Sequence, residues 1–151
     1  MKRLLLAATV VAGFATALPA AAQFAKPEDA VKYRKAGMTL IANHFGRVNA
    51  MAQGRAPFDA ASAAANADLV VTLSKLPFAG FVDGTSSNEK GGAKGNIWTE
   101  RAKFDDGAKK MQDEVTKLAT AAKSGNLDQL KAAAGGVGQA CKACHDDFRN
   151  P

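Results

Sequence analysis

The sequence predicts an all-α protein, an antiparallel up-down-up-down four-helix bundle in one domain. Four segments carry apolar residues at alternating steps of three and four, which is the period of an amphipathic helix. No segment alternates apolar and polar residues as a half-buried strand does. Two of the three connections are short, and short connections join helices that pack as antiparallel neighbours.

Residues 1–22 are predicted to be a cleavable secretory signal peptide. A basic pair at 2–3 precedes an uncharged apolar run at 4–18, and alanines at 20–22 offer a cleavage site. A membrane anchor is the weaker alternative, because the run is short for a bilayer and no stop-transfer pattern follows. The mature domain would be residues 23–151, exported and without a membrane-inserted segment.

Charge argues against nucleic-acid binding. The chain has 20 Lys and Arg against 14 Asp and Glu, and the basic residues are spread along it without a basic run. It has only one Trp and one Tyr for stacking on bases. Proteins that bind nucleic acid cluster their basic residues on one face or helix, so no nucleic-acid partner is expected.

The first helix is predicted from Pro27 to the breakers Gly54 and Pro57. Proline needs no donor in a first turn, and the acids at 28–29 suit the positive helix end. Its inward face would carry Val31, Arg34, Met38, Ile41, Phe45, Val48 and Ala52. The second helix is alanine-rich and stops at Pro77, with an inward face of Ala61 or Ser62, Ala65, Leu69, Leu73 and Leu76.

Residues 77–96 form the long connection, which contains five glycines. Connections of this length are uncommon in compact domains and often cover a site. A flexible crossover is the alternative. We expect Phe78 and Phe81 to pack against the bundle and the glycine-rich second half to remain unpacked.

The third helix is predicted to begin at Ile97 and to end near Lys123 and Gly125. Its inward face would carry Ile97, Arg101, Phe104, Ala108, Met111, Val115, Leu118 and Ala122. The fourth helix opens at Asn126, with Gln129 three places later as a capping box. Its inward face would carry Leu127, Leu130, Ala134, Val137, Cys141, Cys144 and Phe148. Trp98 is expected to pack in the core or against a cofactor.

Both cysteines of the chain and one of its two histidines lie in the sequence CKACH, residues 141–145. Helical spacing places Cys141 and Cys144 on the inward seam, with His145 projecting from nearly the same face. Two thiols one turn apart with an adjacent imidazole suit covalent attachment of haem, for which CxxCH is the signature.

Three other uses of the cluster are less well supported. Zinc needs four ligands, and the only other nitrogen or sulfur ligand is His44 on the first helix. A redox dithiol needs a helix N-terminus in a strand–helix–strand setting. A CxxC disulfide within a regular helix would be strained.

The mature chain resembles the cytochrome c′ family, the class II c-type cytochromes of bacteria. The resemblance is carried by CKACHDDFR at the C-terminus and by QFAKPEDAVKYRK followed by HFGR near the mature N-terminus. QGRAPFDA, LSKLPFAGF and IWTERAKF also resemble family segments. The resemblance implies a four-helix bundle with one covalent haem c, in the periplasm, usually as a homodimer.

The resemblance also implies a set of haem-binding residues. Cys141 and Cys144 would be the thioether cysteines and His145 the proximal iron ligand. Arg149 matches the family's basic residue beside that histidine. The set is completed by Arg34, Lys35, Met38 and Phe81.

Arg34 matches the family's arginine near a haem propionate. It occupies a seam position that should be apolar, and a buried guanidinium needs an anionic partner, which a propionate would supply. The alternative is that Arg34 extends out of the end of the bundle into solvent.

Met38 lies one turn after Arg34, where the resemblance places the distal side of the haem. Family members commonly have an apolar residue there, which leaves the iron five-coordinate and high-spin. The family's low-spin members use a methionine at this place as the sixth ligand. We favour a non-ligating Met38, with the six-coordinate electron-transfer cytochrome as the alternative.

The predicted function is electron transfer, binding of nitric oxide and carbon monoxide, or both, with an unidentified periplasmic redox partner. A peroxidase is disfavoured, because the predicted distal face has no acid–base group. A haem-free helical binding protein is the third alternative. A homodimer is predicted from surplus apolar residues on the first two helices: Leu40, Val48, Met51, Val70 and Val71.

Overall fold

A computed structural model describes residues 23–151, so the predicted signal peptide lies outside the described residues. Four long helices form the body: α1 (Pro27–Ala52), α2 (Ala60–Leu73), α4 (Arg101–Lys123) and α5 (Leu127–Phe148). A 3₁₀ turn (Pro77–Gly80) and the short helix α3 (Asn96–Thr99) lie in the connection. Helix α1 packs on α2 and α5, and α4 packs on the same two helices. The predicted all-α four-helix bundle is confirmed.

The residues at the N-termini of α1 and α5 are those that the sequence predicted. Pro27 opens α1, with Glu28 and Asp29 in its first turn. The side chain of Asn126 accepts a hydrogen bond from the Gln129 N–H at 3.0 Å and caps α5. Only this half of the predicted capping box forms, because the Asn126 N–H donates instead to Ser124 Oγ at 3.2 Å.

The third predicted helix is divided in two. Glu100 has non-helical dihedrals (φ −114°, ψ 37°) and separates α3 from α4. Asn96, in α3, donates from its side chain to Glu100 at 3.1 Å and to the carbonyl of Asp147 in α5 at 3.3 Å. The break therefore lies where α3 is held against the end of another helix, an interaction that the periodic pattern does not reveal.

The predicted face of α2 is wrong, and α2 ends at Leu73 before the expected Leu76. Leu69 and Leu76 are exposed, whereas the buried residues of the helix are Ala63, Asn66, Ala67 and Val70. A segment this rich in alanine is apolar on every side, so its sequence favours no single orientation.

The predicted apolar surplus for a dimer is also largely wrong. Val48, Met51 and Val70 are buried in the chain's own bundle core, and Val71 packs against it. Leu40 is the one predicted residue that stays exposed, at 48%. The exposed large apolar residues of α1 and α2 are thus Leu40 and Leu69.

The glycine-rich half of the connection is packed, which contradicts our expectation. Gly92 and Ala93 are buried. Ala93 forms a β-bridge with Arg149 directly after α5. We call residues 87–96 together with 146–150 the C-terminal clasp. Within residues 23–151, no helix is both long enough and apolar enough to cross a membrane.

Candidate functional site

Cys141 and Cys144 lie on α5 between two apolar clusters. Cys141 packs against the bundle core. Cys144 packs against an aromatic cluster at the end of the bundle, formed by Phe78, Phe81, Trp98, Phe104 and Phe148 with Ala93 and Ile97. Both cysteines are half-buried free thiols. The predicted inward direction of the two sulfurs agrees with this packing.

Burial raises the pKa of both thiols, and for Cys144 the charges of Cys141 and Asp147 add to this effect. A redox-active dithiol needs the opposite, a lowered pKa that provides thiolate near neutral pH. The surroundings of the two cysteines therefore disfavour the redox-dithiol alternative.

His145 does not point into the bundle as predicted, because its side chain is exposed. It follows Cys144 by one residue, and thus by about 100° around the helix, so it lies beside the buried seam. Desolvation lowers the pKa of His145, and the charge of Arg149 lowers it further. Both effects favour the neutral imidazole, the form that binds a metal ion.

Arg34 is buried, at 4% exposure, so the alternative in which it extends into solvent is wrong. Its guanidinium donates to the Gly80 carbonyl at 3.1 Å and to Thr85 through Oγ1 (2.6 Å) and the carbonyl (2.5 Å). These acceptors are neutral, and burial lowers the pKa of Arg34. The predicted propionate contact stays a prediction.

Arg34 also connects α1 to the aromatic cluster. Its guanidinium lies 4.7 Å from the centre of the Phe81 ring. That ring is 4.8 Å from Phe104, which is 5.3 Å from Phe148. Gly80 lets the connection lie close to α1, since a Cβ on Gly80 would be only 2.5 Å from the Ala30 carbonyl oxygen. The cluster links α1, the connection, α4 and the C-terminal end of α5.

The other predicted residues lie around this region. Met38 is half-buried and packs against the bundle core, as does Cys141. Lys35 is exposed on α1. Arg149 follows α5 and faces Gly91, where a Cβ would approach its guanidinium to 3.0 Å. His44 belongs elsewhere, since its Nδ1 pairs with Asn66 of α2 at 2.9 Å.

A groove of about 660 Å³ runs beside Cys144 between α4 and α5. Gly107 lines it there, and a Cβ on Gly107 would make an ordinary contact with the Cys144 sulfur at 3.7 Å. Ala140, Ala143 and Phe148 form its apolar wall. Arg34, Met38 and Phe81 do not line this groove. The groove therefore borders the CxxCH segment on its α4 side and does not extend to the predicted distal residues.

The residues present fit a covalently bound haem. Cys141 and Cys144 provide two sulfurs one turn apart, and His145 provides a neutral imidazole next to them. The buried Nε1 of Trp98 has no hydrogen-bond partner within residues 23–151. A buried donor of this kind costs free energy unless a bound group or water accepts its hydrogen. Sequence reasoning did not identify this donor, because its burial depends on the packing of α3.

Comparisons with known proteins agree with this arrangement. A family model described as Cytochrome C′ matches residues 29–149. The chain is 51% identical to cytochrome c′ of Alcaligenes xylosoxydans xylosoxydans over 127 residues, which are 84% of this chain and 98% of that protein. It is 54% identical to cytochrome c′ of Rubrivivax gelatinosus, with the same coverage.

Solved structures give the same result. The crystal structure of cytochrome c′ from Rubrivivax gelatinosus has a TM-score of 0.79 at 53% identity, and the match covers 85% of this chain and all of that one. A nitric oxide complex of a point mutant of cytochrome c prime from Alcaligenes xylosoxidans has a TM-score of 0.78 at 50% identity, covering 85% and 99%.

Proposed function

The chain belongs to the cytochrome c′ family of haem proteins, and from this we propose that it is a periplasmic, five-coordinate c-type haem protein that transfers electrons, binds nitric oxide and carbon monoxide, or both. The observation that carries the proposal is the pair of half-buried free thiols on α5, one turn apart and followed by His145. The nitric oxide complex of a relative supports the gas-binding part.

Each residue would have a separate task. The thiols of Cys141 and Cys144 would add across the two vinyl groups of the haem, and His145 would bind the iron. The bound haem supplies a redox centre and an open coordination position for small ligands. Met38 would limit access to that position by bulk. Arg34, Lys35, Phe81 and Arg149 would line or orient the group.

A non-enzymatic role agrees with the surroundings of Phe81. Peroxidase chemistry needs a distal group that moves protons. Two cations lie beside Phe81: Arg34, whose guanidinium makes three hydrogen bonds to Gly80 and Thr85, and Arg101, whose Nη1 donates to the Phe81 carbonyl at 3.3 Å. Met38 packs against apolar residues and has no acid–base function.

Covalent attachment is the first test of the proposal. The chain should be expressed with working haem-maturation machinery, and its pigment should stay with the denatured protein through acid–acetone extraction. The variant with Cys141→Ala and Cys144→Ala should lose this attachment. Ser124→Ala, at the far end of α4, is the control and should keep it. A colourless protein, or a pigment that extracts freely from the unmodified chain, would refute the proposal.

A further inference from the structure

The last turn of α5 is held mainly by the connection. A helix leaves its final four carbonyls without donors of its own. In α5, Lys94 donates to two of them, from Nζ to residue 146 (2.9 Å) and from its backbone N–H to residue 148 (2.9 Å). Asn96 Nδ2 donates to residue 147 at 3.3 Å. Only the carbonyl of His145 is capped locally, by the Arg149 N–H at 3.0 Å.

Asn150 closes the clasp on the side of the chain terminus. Its backbone N–H donates to the Gly92 carbonyl at 2.9 Å, and its carbonyl accepts from the Gly91 N–H at 3.0 Å. Its side-chain amide donates to the carbonyls of Ser87 and Glu89. One residue thus makes four hydrogen bonds to the connection.

The connection has a shape that suits this contact. The Ser87 N–H donates to the Ala93 carbonyl at 3.0 Å, and the Gly92 N–H donates to the Glu89 carbonyl at 2.8 Å, so residues 87–93 form a closed loop. A Cβ on Gly92 would lie 2.9 Å from the carbonyl oxygens of both Ser87 and Glu89. The loop is therefore compact only with glycine at this position.

We propose that the C-terminal clasp sets the orientation of His145, with Asn150 as its positioning residue. This inference rests on the proposed function, in which His145 binds the haem iron. His145 begins the turn whose later carbonyls the clasp holds, so the clasp limits rotation and fraying of the backbone that carries the imidazole. Positioning groups of this kind act through the ligand that they orient.

The test compares variants on both sides of the clasp in the haem-loaded protein. Asn150→Ala removes the side-chain donor and keeps the backbone bonds. Asn150→Asp keeps the size but places an oxygen against two carbonyls. Gly92→Ala disturbs the loop from the other side. The control is Asn66→Ala, which removes an amide that donates to the Ser62 carbonyl at 2.8 Å on α2, outside the clasp.

Two measurements separate an effect on the orientation of His145 from an effect on the local stability of the clasp. Amide hydrogen exchange of residues 145–150 should speed up by about tenfold or more in Asn150→Ala, as expected for the loss of its two side-chain hydrogen bonds, and further in Asn150→Asp. The iron–histidine stretching band of the ferrous protein should shift or broaden in the same order. Gly92→Ala should reproduce both changes, and Asn66→Ala should change neither.

The outcomes distinguish the proposed function, in which His145 binds the haem iron, from the positioning role of the C-terminal clasp. Absence of an iron–histidine band in the unmodified protein overturns both. An unchanged band in variants whose exchange has increased overturns the positioning role alone. Unchanged exchange in Asn150→Asp also overturns it, because the clasp then does not depend on Asn150.

Discussion

Arg34 and Met38 are one turn apart on α1 but differ in their surroundings. Arg34 is buried and makes three hydrogen bonds to Gly80 and Thr85 of the connection. Met38 is half-buried against the bundle core and is not constrained by a polar partner. A thioether held only by packing moves more readily than a side chain held by several hydrogen bonds. Met38 is therefore the residue that we expect to control access to the iron.

Met38→Ala should tighten carbon monoxide binding to the ferrous protein by about 5- to 150-fold, since this ratio corresponds to relief of about 1–3 kcal/mol of crowding. Flash photolysis and equilibrium titration would measure the change. Met51→Ala, a core methionine at the other end of α1, is the control and should leave carbon monoxide affinity unchanged.

The resting spin state decides whether Met38 binds the iron. A non-ligating Met38 gives a high-spin ferric spectrum that Met38→Ala leaves nearly unchanged. A low-spin spectrum that becomes high-spin in Met38→Ala, with a lower reduction potential, would contradict the five-coordinate proposal and favour the electron-transfer alternative.

Helix α5 carries glycines in its interior, which is unusual for the helix that bears the CxxCH motif. A Cβ on Gly135 or Gly138 would meet nothing within 4 Å. Glycine in a helix interior costs about 0.5–1 kcal/mol relative to alanine, because the unfolded chain has more freedom to lose. Within residues 23–151, no contact compensates for that cost at these two positions.

Gly135→Ala and Gly138→Ala should each raise the free energy of unfolding by about 0.5–1 kcal/mol. Gly80→Ala should lower it by about 1–3 kcal/mol, because its Cβ would be forced against the Ala30 carbonyl and the Arg34 side chain. Guanidinium unfolding of the haem-loaded protein would measure all three. A loss of stability in both α5 variants would show that these glycines make contacts absent from the single chain.

Within residues 23–151, the exposed large apolar side chains are those of Leu40, Phe58, Leu69, Leu76 and Leu127. Leu40 on α1 and Leu69 on α2 are 48% and 47% exposed. Phe58 and Leu127 precede or open α2 and α5 and are 36% and 41% exposed. Since α1 and α2 pack side by side, we propose that Leu40 and Leu69 contribute to a homodimer interface.

Leu40→Asp and Leu69→Asp should each weaken the dimer by about a hundredfold, since an unpaired charge buried at an interface costs about 3 kcal/mol or more. Sedimentation equilibrium over a range of micromolar concentrations would measure this. Leu127→Asp, equally apolar and exposed but outside the α1–α2 face, is the control. A monomeric unmodified protein, or equal dissociation in all three variants, would refute the interface.

The sequence by itself determined the helical class, most helix ends and the placement of the two cysteines one turn apart on one helix. Apolar period, proline, glycine and capping residues act over one or two turns, so they can be interpreted locally. CxxCH is also a local pattern, because its spacing places both thiols on one face of any helix that contains it.

The tertiary structure alone decided the orientation of α2, the break at Glu100, the acceptors of Arg34 and the exposure of His145. It also decided that residues 87–96 cap the end of α5. Each of these depends on contacts between residues distant in the chain, such as Asn150 with Ser87 and Arg34 with Thr85. A periodic pattern contains no information about such pairs, because it shows which side of a helix a residue lies on and not which distant residue folding brings next to it.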